Sequence, residues 1–553
     1  MTAVAPSPLF RVLLVVAAAV VAHAGAARGT FHLDDFHQIA RNEAVHDVAS
    51  IPRFFHDRTA FDADPRNGTL LRPLALATYA IDWRRGGGAP RAFLETQVAL
   101  HAAAAAAALA VLSRAVWSPG AALFGALVFA VHPLACETVN LASARAGALA
   151  SLFVLVYLAV RLGRGPLPAA LAALALALLS KESAATAPAL ALILGLQRGE
   201  GAARRARALL PEAFVLAAFL AYRAAVLGGP EIGVSPDRLF STGDVETGAG
   251  RGVALNLATQ AGAVLRAALL ALVPVRLSAD HAVPIVSGLA DPRFFVPAAA
   301  IAAAASAIAA RSPLGVRRGA LVFVVAAAPV IVVPLNVVLA EERYHLSILG
   351  VALAAGVLAE RFSASRSRLP RMVAAGLVLL LAARSAARAA DFRSETALWE
   401  AAVASGRAGP RAHLLLGNAR LESGDLAGAV ASYRRAAAAS EPGSPARPFA
   451  LLNLAEALRL LGAERSDAAI YGRSVRVLEP LKESGDPGLA AMARYRAGLA
   501  LADRFERFFD PEVGVAAARE YRSIVEEHPD EIEAWRGLAR VALVSRARSR
   551  DGP

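Results

Sequence analysis

The chain of 553 residues is 56% hydrophobic and only 19% charged, with a mean hydropathy of +0.48, a balance too apolar for one soluble domain and suited to many membrane spans. A net charge of +13 could suit a nucleic-acid partner, but the arginines gather in short loops between apolar runs, where they set orientation in the membrane, so no nucleic acid is expected. The single cysteine, Cys136, excludes an internal disulfide framework and a thiolate metal cluster.

A spanning helix needs roughly 20 apolar residues. The first such run, residues 9–27, has the parts of a cleaved secretory signal in Arg11 and an Ala-rich stretch before Arg28. It is longer than a signal core and opens a polytopic series, so an uncleaved first span is expected instead. Residues 28–91 follow as a long outer loop holding Asp34, Asp35, His37, Asn42, Arg72 and Pro73 with Phe31, Phe36, Phe54, Phe55 and Trp83. A loop of this length is usually functional, and Phe54 and Phe55 beside Arg53 and His56 suggest amphipathic helices lying on the bilayer. Asn67-Gly68-Thr69 has the glycosylation-acceptor pattern, which is too short to carry weight.

Further spans are expected at 92–113, 119–134, 146–162, 166–180, 183–197, 208–227, 293–310, 317–339, 344–360 and 370–390, eleven in all with the first. The loops carrying Arg161 and Arg164, then Arg198, Arg204, Arg205 and Arg207, then Arg311, Arg317 and Arg318, then Arg361, Arg366, Arg368 and Arg371 all fall on the cytoplasmic side in that count, as the positive-inside rule requires. Residues 252–275 would break the alternation if they crossed, and Arg266 near their middle costs roughly 2.5–3.5 kcal/mol on insertion scales. They are expected to form an interfacial or re-entrant helix. The chain then reads as an integral, multi-pass membrane protein, of the inner membrane if bacterial, with its N-terminus cytoplasmic and everything after residue 390 outside.

Beyond residue 395 the sequence repeats with a period of about 34 residues, the period of tetratricopeptide repeats. Leu416-Gly417, Gly424, Ala429, Tyr433, Ala436 and Pro442 form one unit. Leu454-Ala455, Leu458, Gly462, Ala468 and Pro480 form a second, and Gly498, an insertion through Phe508 and Phe509, Ala517, Tyr521 and Pro529 a third. Trp535, Leu538 and Ala539 open a half-unit that could cap the array. Stacked units of this kind cover one another's apolar faces; an arbitrary helical domain is the plainer alternative. Such arrays bind extended peptides or proteins on a concave face, which suggests a polypeptide client.

Polar groups collect at the outer ends of spans, where they are functional candidates. His132, Glu137 and Arg145 lie between the third and fourth spans, Lys181 and Glu182 between the fifth and sixth, and Glu341, Glu342, Arg343, Tyr344 and His345 between the tenth and eleventh. A phosphate-linked donor needs cations at its leaving phosphate, for which Arg145, Lys181 and Arg343 are the candidates. An attacking hydroxyl needs a carboxylate base, for which Asp34 or Asp35 is placed where the chain leaves the membrane. Solvated span ends would explain the same charges, and the two aspartates could instead cap the next helix. Asp34, Asp35 and Glu182 could hold a divalent ion, without diagnostic spacing. No nucleotide-binding glycine loop, HExxH or GxSxG element is present, which argues against nucleotide-driven transport, metalloproteolysis and serine hydrolysis.

Leu33-Asp34-Asp35, Arg72-Pro73-Leu74, the segment from His132-Pro133 to Arg145, Leu179-Ser180-Lys181-Glu182, Glu342-Arg343-Tyr344 and the C-terminal array together resemble the transmembrane and tetratricopeptide-repeat-containing protein O-mannosyltransferases and their bacterial relatives, which have the type C glycosyltransferase fold. The resemblance implies an all-α protein, a polytopic helical domain over 1–392 followed by a repeat solenoid over 393–553. It implies an inverting transferase that moves a hexose, mannose in the characterised relatives, from a polyprenyl phosphate to Ser or Thr of an exported protein, with Asp34 or Asp35 as base, Arg145, Lys181 and Arg343 at the donor phosphate, and Arg72, His132, Glu137, Glu182, Glu342 and Tyr344 in support. The chain departs from the family in having Gly147 where an acid usually follows the arginine, and in a shortened segment after Tyr344. A transferase acting on a lipid or envelope polysaccharide and a non-catalytic membrane scaffold remain the alternatives.

Overall fold

In a computed structural model the described residues are 7–63, 70–116, 118–195, 207–228, 252–288, 290–335, 337–363, 368–406, 408–441, 444 and 446–550. Arg198, Arg204, Arg205, Arg366, Pro442 and the Asn67-Gly68-Thr69 pattern lie outside them. The described residues form helices and turns without a β-strand, in two compact units that meet in sequence between Leu398 and Trp399.

In the first unit eight helices are long and apolar enough to cross a membrane: Pro8–Arg28, Pro90–Ala115, Arg145–Leu162, Leu210–Leu227, Val253–Leu272, Pro292–Arg311, Leu314–Val332 and Leu369–Phe392. They define an integral, multi-pass membrane protein. Pro119–Val131 and Pro133–Asn140 make a ninth if taken as one span bent by 42°. The bend sits at His132, which the following proline holds extended. The expected eleven spans are corrected at four places. The runs at 183–197 and 344–360 fold into shorter helices, Glu182–Gly195 and the 16-residue Ile348–Ser363. Leu167–Ser180 has only 14 residues, about 21 Å of helix against roughly 30 Å of hydrocarbon, because Lys181 adopts an extended conformation and ends it. Val253–Leu272 is one unbroken 20-residue helix, not a re-entrant break. Its Arg266 reaches the carbonyl of Ala282 at 3.0 Å, and Asn256 is buried with its amide on the carbonyls of Ile331 and Val332. With that helix long enough to cross, the arginine loops no longer fix the side of the C-terminus.

Glycines let these helices approach closely, as small residues do in membranes. A Cβ on Gly125 or Gly319 would fall 2.5 Å from a carbonyl oxygen of the facing helix, at Ala352 and Gly350 respectively.

The segment between the first helix and Pro90 folds into its own small core. Short helical turns at Glu43–His46, Val48–Phe55 and Arg58–Phe61 are started by Asn42, Asp47 and Asp57, each accepting a backbone N–H two residues on. They pack Ile39, Val45, Phe54 and Phe61 against Leu76, Tyr79 and Phe93. Phe54 is therefore buried inside this core, and the expected bilayer-lying amphipathic helix is corrected: its aromatic face is satisfied by Pro73–Gly86 and Pro90–Ala115.

The second unit contains three successive helix pairs, Pro410–Glu422 with Leu426–Ala439, Ala446–Arg465 with Ala468–Lys482, and Pro487–Phe508 with Pro511–Glu527, followed by Ile532–Arg550. In each pair a glycine of the first helix receives a tyrosine ring of the second: Gly417 takes Tyr433, Gly462 takes Tyr471 and Gly498 takes Tyr521. Each first helix also ends on a left-handed residue, Gly424, Ser466 or Phe509, which turns the chain into its partner. Phe508 ends the 22-residue helix Pro487–Phe508, and Phe509 follows it as the left-handed cap.

Candidate active site

The two aspartates part company in space. Leu33 holds a left-handed backbone at φ +50°, unfavourable for a branched side chain and a mark of an over-determined position. Beyond it Asp35 is fully buried and accepts three backbone N–H groups, from Ser143 at 2.6 Å, His32 at 3.0 Å and Ala142 at 3.4 Å. Burial pushes its carboxyl above the ordinary aspartate value, opposed by the hydrogen bonds from Ser143 and His32. Asp35 thus ties the outer segment to the start of Arg145–Leu162, a structural task. Asp34 is 64% exposed, with His37 Nε2 at 3.3 Å and the Gln38 amide donating at 3.4 Å. His37 also meets Asp62 at 2.6 Å. Hydrogen bonding to Asp34 first, and then to Asp62, raises His37 to about 9 against partial burial, so at neutral pH an imidazolium lies against the Asp34 carboxylate.

Three cations sit at another cluster of helix ends. Arg72, which precedes the proline that starts Pro73–Gly86, donates to Glu182 Oε1 at 2.9 Å and lies 5.8 Å from the Phe61 ring. Lys181 Nζ is 3.7 Å from Glu342 Oε2, and Arg343 Nε is 3.5 Å from Glu342 Oε1. Gly147, Lys181, Glu342, Arg343 and His345 line a narrow cleft of about 30 Å³, walled by Ala150, Val154 and Val330. A Cβ at Gly147 would stand 3.6 Å from Lys181 Nζ and 3.8 Å from Glu342 Oε2, so the residue missing an acid is the one facing the lysine. With Arg72, Lys181 and Arg343 against Glu182 and Glu342 the group carries an excess of one positive charge, at the mouth of apolar helices.

The remaining sequence candidates are occupied by other work. Arg145 is fully buried, 2.8 Å from Asp82 Oδ2 and donating to Gln97 Oε1 at 2.6 Å and the Phe93 carbonyl at 2.8 Å, with Tyr79 under its guanidinium. His132 accepts the Leu134 N–H at Nδ1, which leaves Nε2 to donate to the Ala271 carbonyl at 2.9 Å. Glu137 accepts the Glu342 N–H at 3.0 Å and so fixes the loop that carries Arg343. Tyr344 is buried and stacked on Phe323. His37, Asp62 and Asp82 were not assigned roles from sequence, nor was Glu341, which is buried and accepts from Ser278 N at 2.7 Å and His281 Nε2 at 2.8 Å. The expected divalent-ion group is not assembled: Glu182 is held by Arg72 and both oxygens of Asp35 by backbone N–H. Among the described residues no three His, Cys, Asp or Glu side chains are arranged as metal ligands.

No protein-family model matches the chain, and no curated protein matches it. Among solved structures it is similar to the crystal structure of ArnT from Cupriavidus metallidurans bound to undecaprenyl phosphate, at 14% identity and a TM-score of 0.39, covering 97% of this chain and 77% of that one. A likeness of this size assigns neither a family nor a site.

Proposed function

We propose that the protein is a membrane glycosyltransferase that takes a hexose, mannose by the sequence resemblance, from a polyprenyl-phosphate carrier and places it on Ser or Thr hydroxyls of exported proteins. Two observations support this reading: an exposed carboxylate, Asp34, directly after the left-handed Leu33, and a cationic cleft at the ends of apolar helices. Asp34 is the base. It takes the proton of the acceptor hydroxyl as that oxygen bonds to the sugar C1, and the bond from C1 to the phosphate oxygen breaks with inversion. Lys181 and Arg343 receive the charge on the departing phosphate, with Arg72 beside them, since a cation aimed at developing charge in a water-poor site is worth most there. Glu342 and Glu182 hold these cations in place while the site is empty of donor. Arg145, expected at the phosphate, is instead a positioning residue that anchors the helix below Asp35.

In the same reading the domain over 1–392 performs transfer and the region over 393–553 is a tetratricopeptide-repeat array on the outer, periplasmic side. The Gly–Tyr pairs at equivalent places in three hairpins support the repeat assignment, and the array presents the acceptor polypeptide. Intact-mass analysis of exported proteins from cells with and without this gene product tests the proposal. Hexose increments that vanish with the gene, and return with the wild-type chain, are expected. Unchanged protein masses together with altered lipid or polysaccharide glycans would move the reading to a lipid or polysaccharide acceptor, and no glycan change at all would leave a scaffold.

A further inference from the structure

A second cleft is lined by none of the residues of the proposed transfer site. The helix Pro90–Ala115 holds Arg145 through Gln97, while Ser113 lies 16 residues further on and Arg114 follows it, roughly 24 Å along the axis. There, between the start of Pro8–His23, the end of Pro90–Ala115 and the start of Pro119–Val131, is a cleft of about 390 Å³, within the roughly 300–1,000 Å³ of small-molecule sites. It is two-faced. Arg11, Arg114, Ser113 and Ser118 supply polar groups, while Val12 and Leu109 supply apolar wall. No carboxylate lines it. Arg11 Nε is buried without a hydrogen-bond partner among the described residues, a cost that a bound anion would remove. Arg114 spends one nitrogen on the Ala110 carbonyl at 2.5 Å, and a Cβ at Gly163 would lie 2.7 Å from its Nε, so that glycine gives the guanidinium its room. Leu9 and Leu13 beside the cleft are 68% and 57% exposed, as lipid-facing side chains are.

We infer that this cleft is a binding site for an anionic membrane phospholipid, its headgroup phosphate between Arg11 and Arg114 and its chains along Leu9, Val12 and Leu13. Two arginines without carboxylates call for an anion, and the apolar wall continuous with the lipid-facing surface selects a lipid over a free ion. Basic clefts between helix ends bind anionic lipid headgroups in this way. The site is separate from the proposed transfer site and does not depend on it.

The test is thermal unfolding of the full chain in neutral detergent, titrated with phosphatidylglycerol, phosphatidylcholine or inorganic phosphate. Phosphatidylglycerol is expected to raise the melting temperature in a saturable way, as a ligand of the folded state does, and the other two are not. Arg11→Gln with Arg114→Gln should weaken the apparent affinity more than tenfold, and Arg114→Gln alone, at an exposed position, about fivefold. The single variant keeps the test decisive if the double variant does not fold. Equal phosphatidylglycerol affinity in wild type and Arg114→Gln, an equal shift with phosphatidylcholine, or a shift reproduced by inorganic phosphate alone would each overturn the inference.

Discussion

The two units handle polar chemistry in opposite ways. At the heart of the membrane unit the charged groups are buried and fully committed: Arg145 to Asp82, Glu341 to His281 and Ser278, Asp35 to three backbone N–H groups. In the helical-pair unit they are shared and partly wet. Arg540 reaches Glu506 at 2.6 Å and Asp503 at 2.8 Å, and Asp503 also meets Arg459, which pairs with Glu456 at 2.7 Å. The first arrangement is intolerant, because removing one partner leaves the other charged and dry. The second is tolerant, because water and neighbours replace what is lost.

The contrast can be broken by substitution. Arg145→Gln leaves the buried Asp82 with only Arg85 at 3.3 Å and the Thr96 hydroxyl at 2.7 Å, and should destabilise the membrane unit by about 3 kcal/mol, read as loss of the folded full chain in detergent. A melting curve like that of wild type would remove the contrast. Asp35→Ala strands three N–H groups and should cost about 2–3 kcal/mol, whereas Asp34→Ala should leave the melting temperature nearly unchanged; equal destabilisation by both would erase the distinction between them. In the second unit Gly498→Ala presses a methyl group onto the Tyr521 ring and should cost about 1–3 kcal/mol, while Arg540→Gln should cost under about 1 kcal/mol, both measured by chemical denaturation. A larger loss from the arginine than from the glycine would reverse the ranking drawn for that unit.

The smallest expected effect is one of pH. His37 is raised to about 9 from an unfolded value near 6.5, so its contribution to stability is complete below about pH 6.5 and is lost as pH rises through about 9. The melting temperature of the wild type should therefore fall over that window more than that of His37→Gln. Identical profiles would mean that Asp34 and Asp62 do not hold His37 protonated.

What was legible in the sequence follows the same division. In the second unit recurring small residues in the sequence coincide with contacts: Gly417, Gly462 and Gly498 each receive a tyrosine ring of the following helix. In the first unit apolar run length placed most of the long helices, but Lys181 shortens one of them through a backbone conformation that hydropathy does not register. The polar candidates were found by position without their roles. Arg145, His132 and Glu137 have the signature of a converging outer site, yet each faces a partner from a distant stretch of chain: Asp82, the Ala271 carbonyl and the Glu342 N–H. A charge at a helix end reads alike whether it faces a cleft or a neighbour, and only tertiary contact separates the two. Adjacency likewise hid the difference between Asp34 and Asp35, which the left-handed Leu33 sends to opposite fates. His37 and Asp62 carried no signal beyond their place in a long loop.

In the proposed reaction Asp34 removes the proton from the acceptor hydroxyl. Its most direct test is sugar transfer by the purified full chain from polyprenyl-phosphate mannose to a Ser/Thr-containing peptide, comparing wild type with Asp34→Asn at matched folded amounts. A rate at least 10²-fold lower is expected for Asp34→Asn, with donor binding retained. Transfer by Asp34→Asn at the wild-type rate would contradict it.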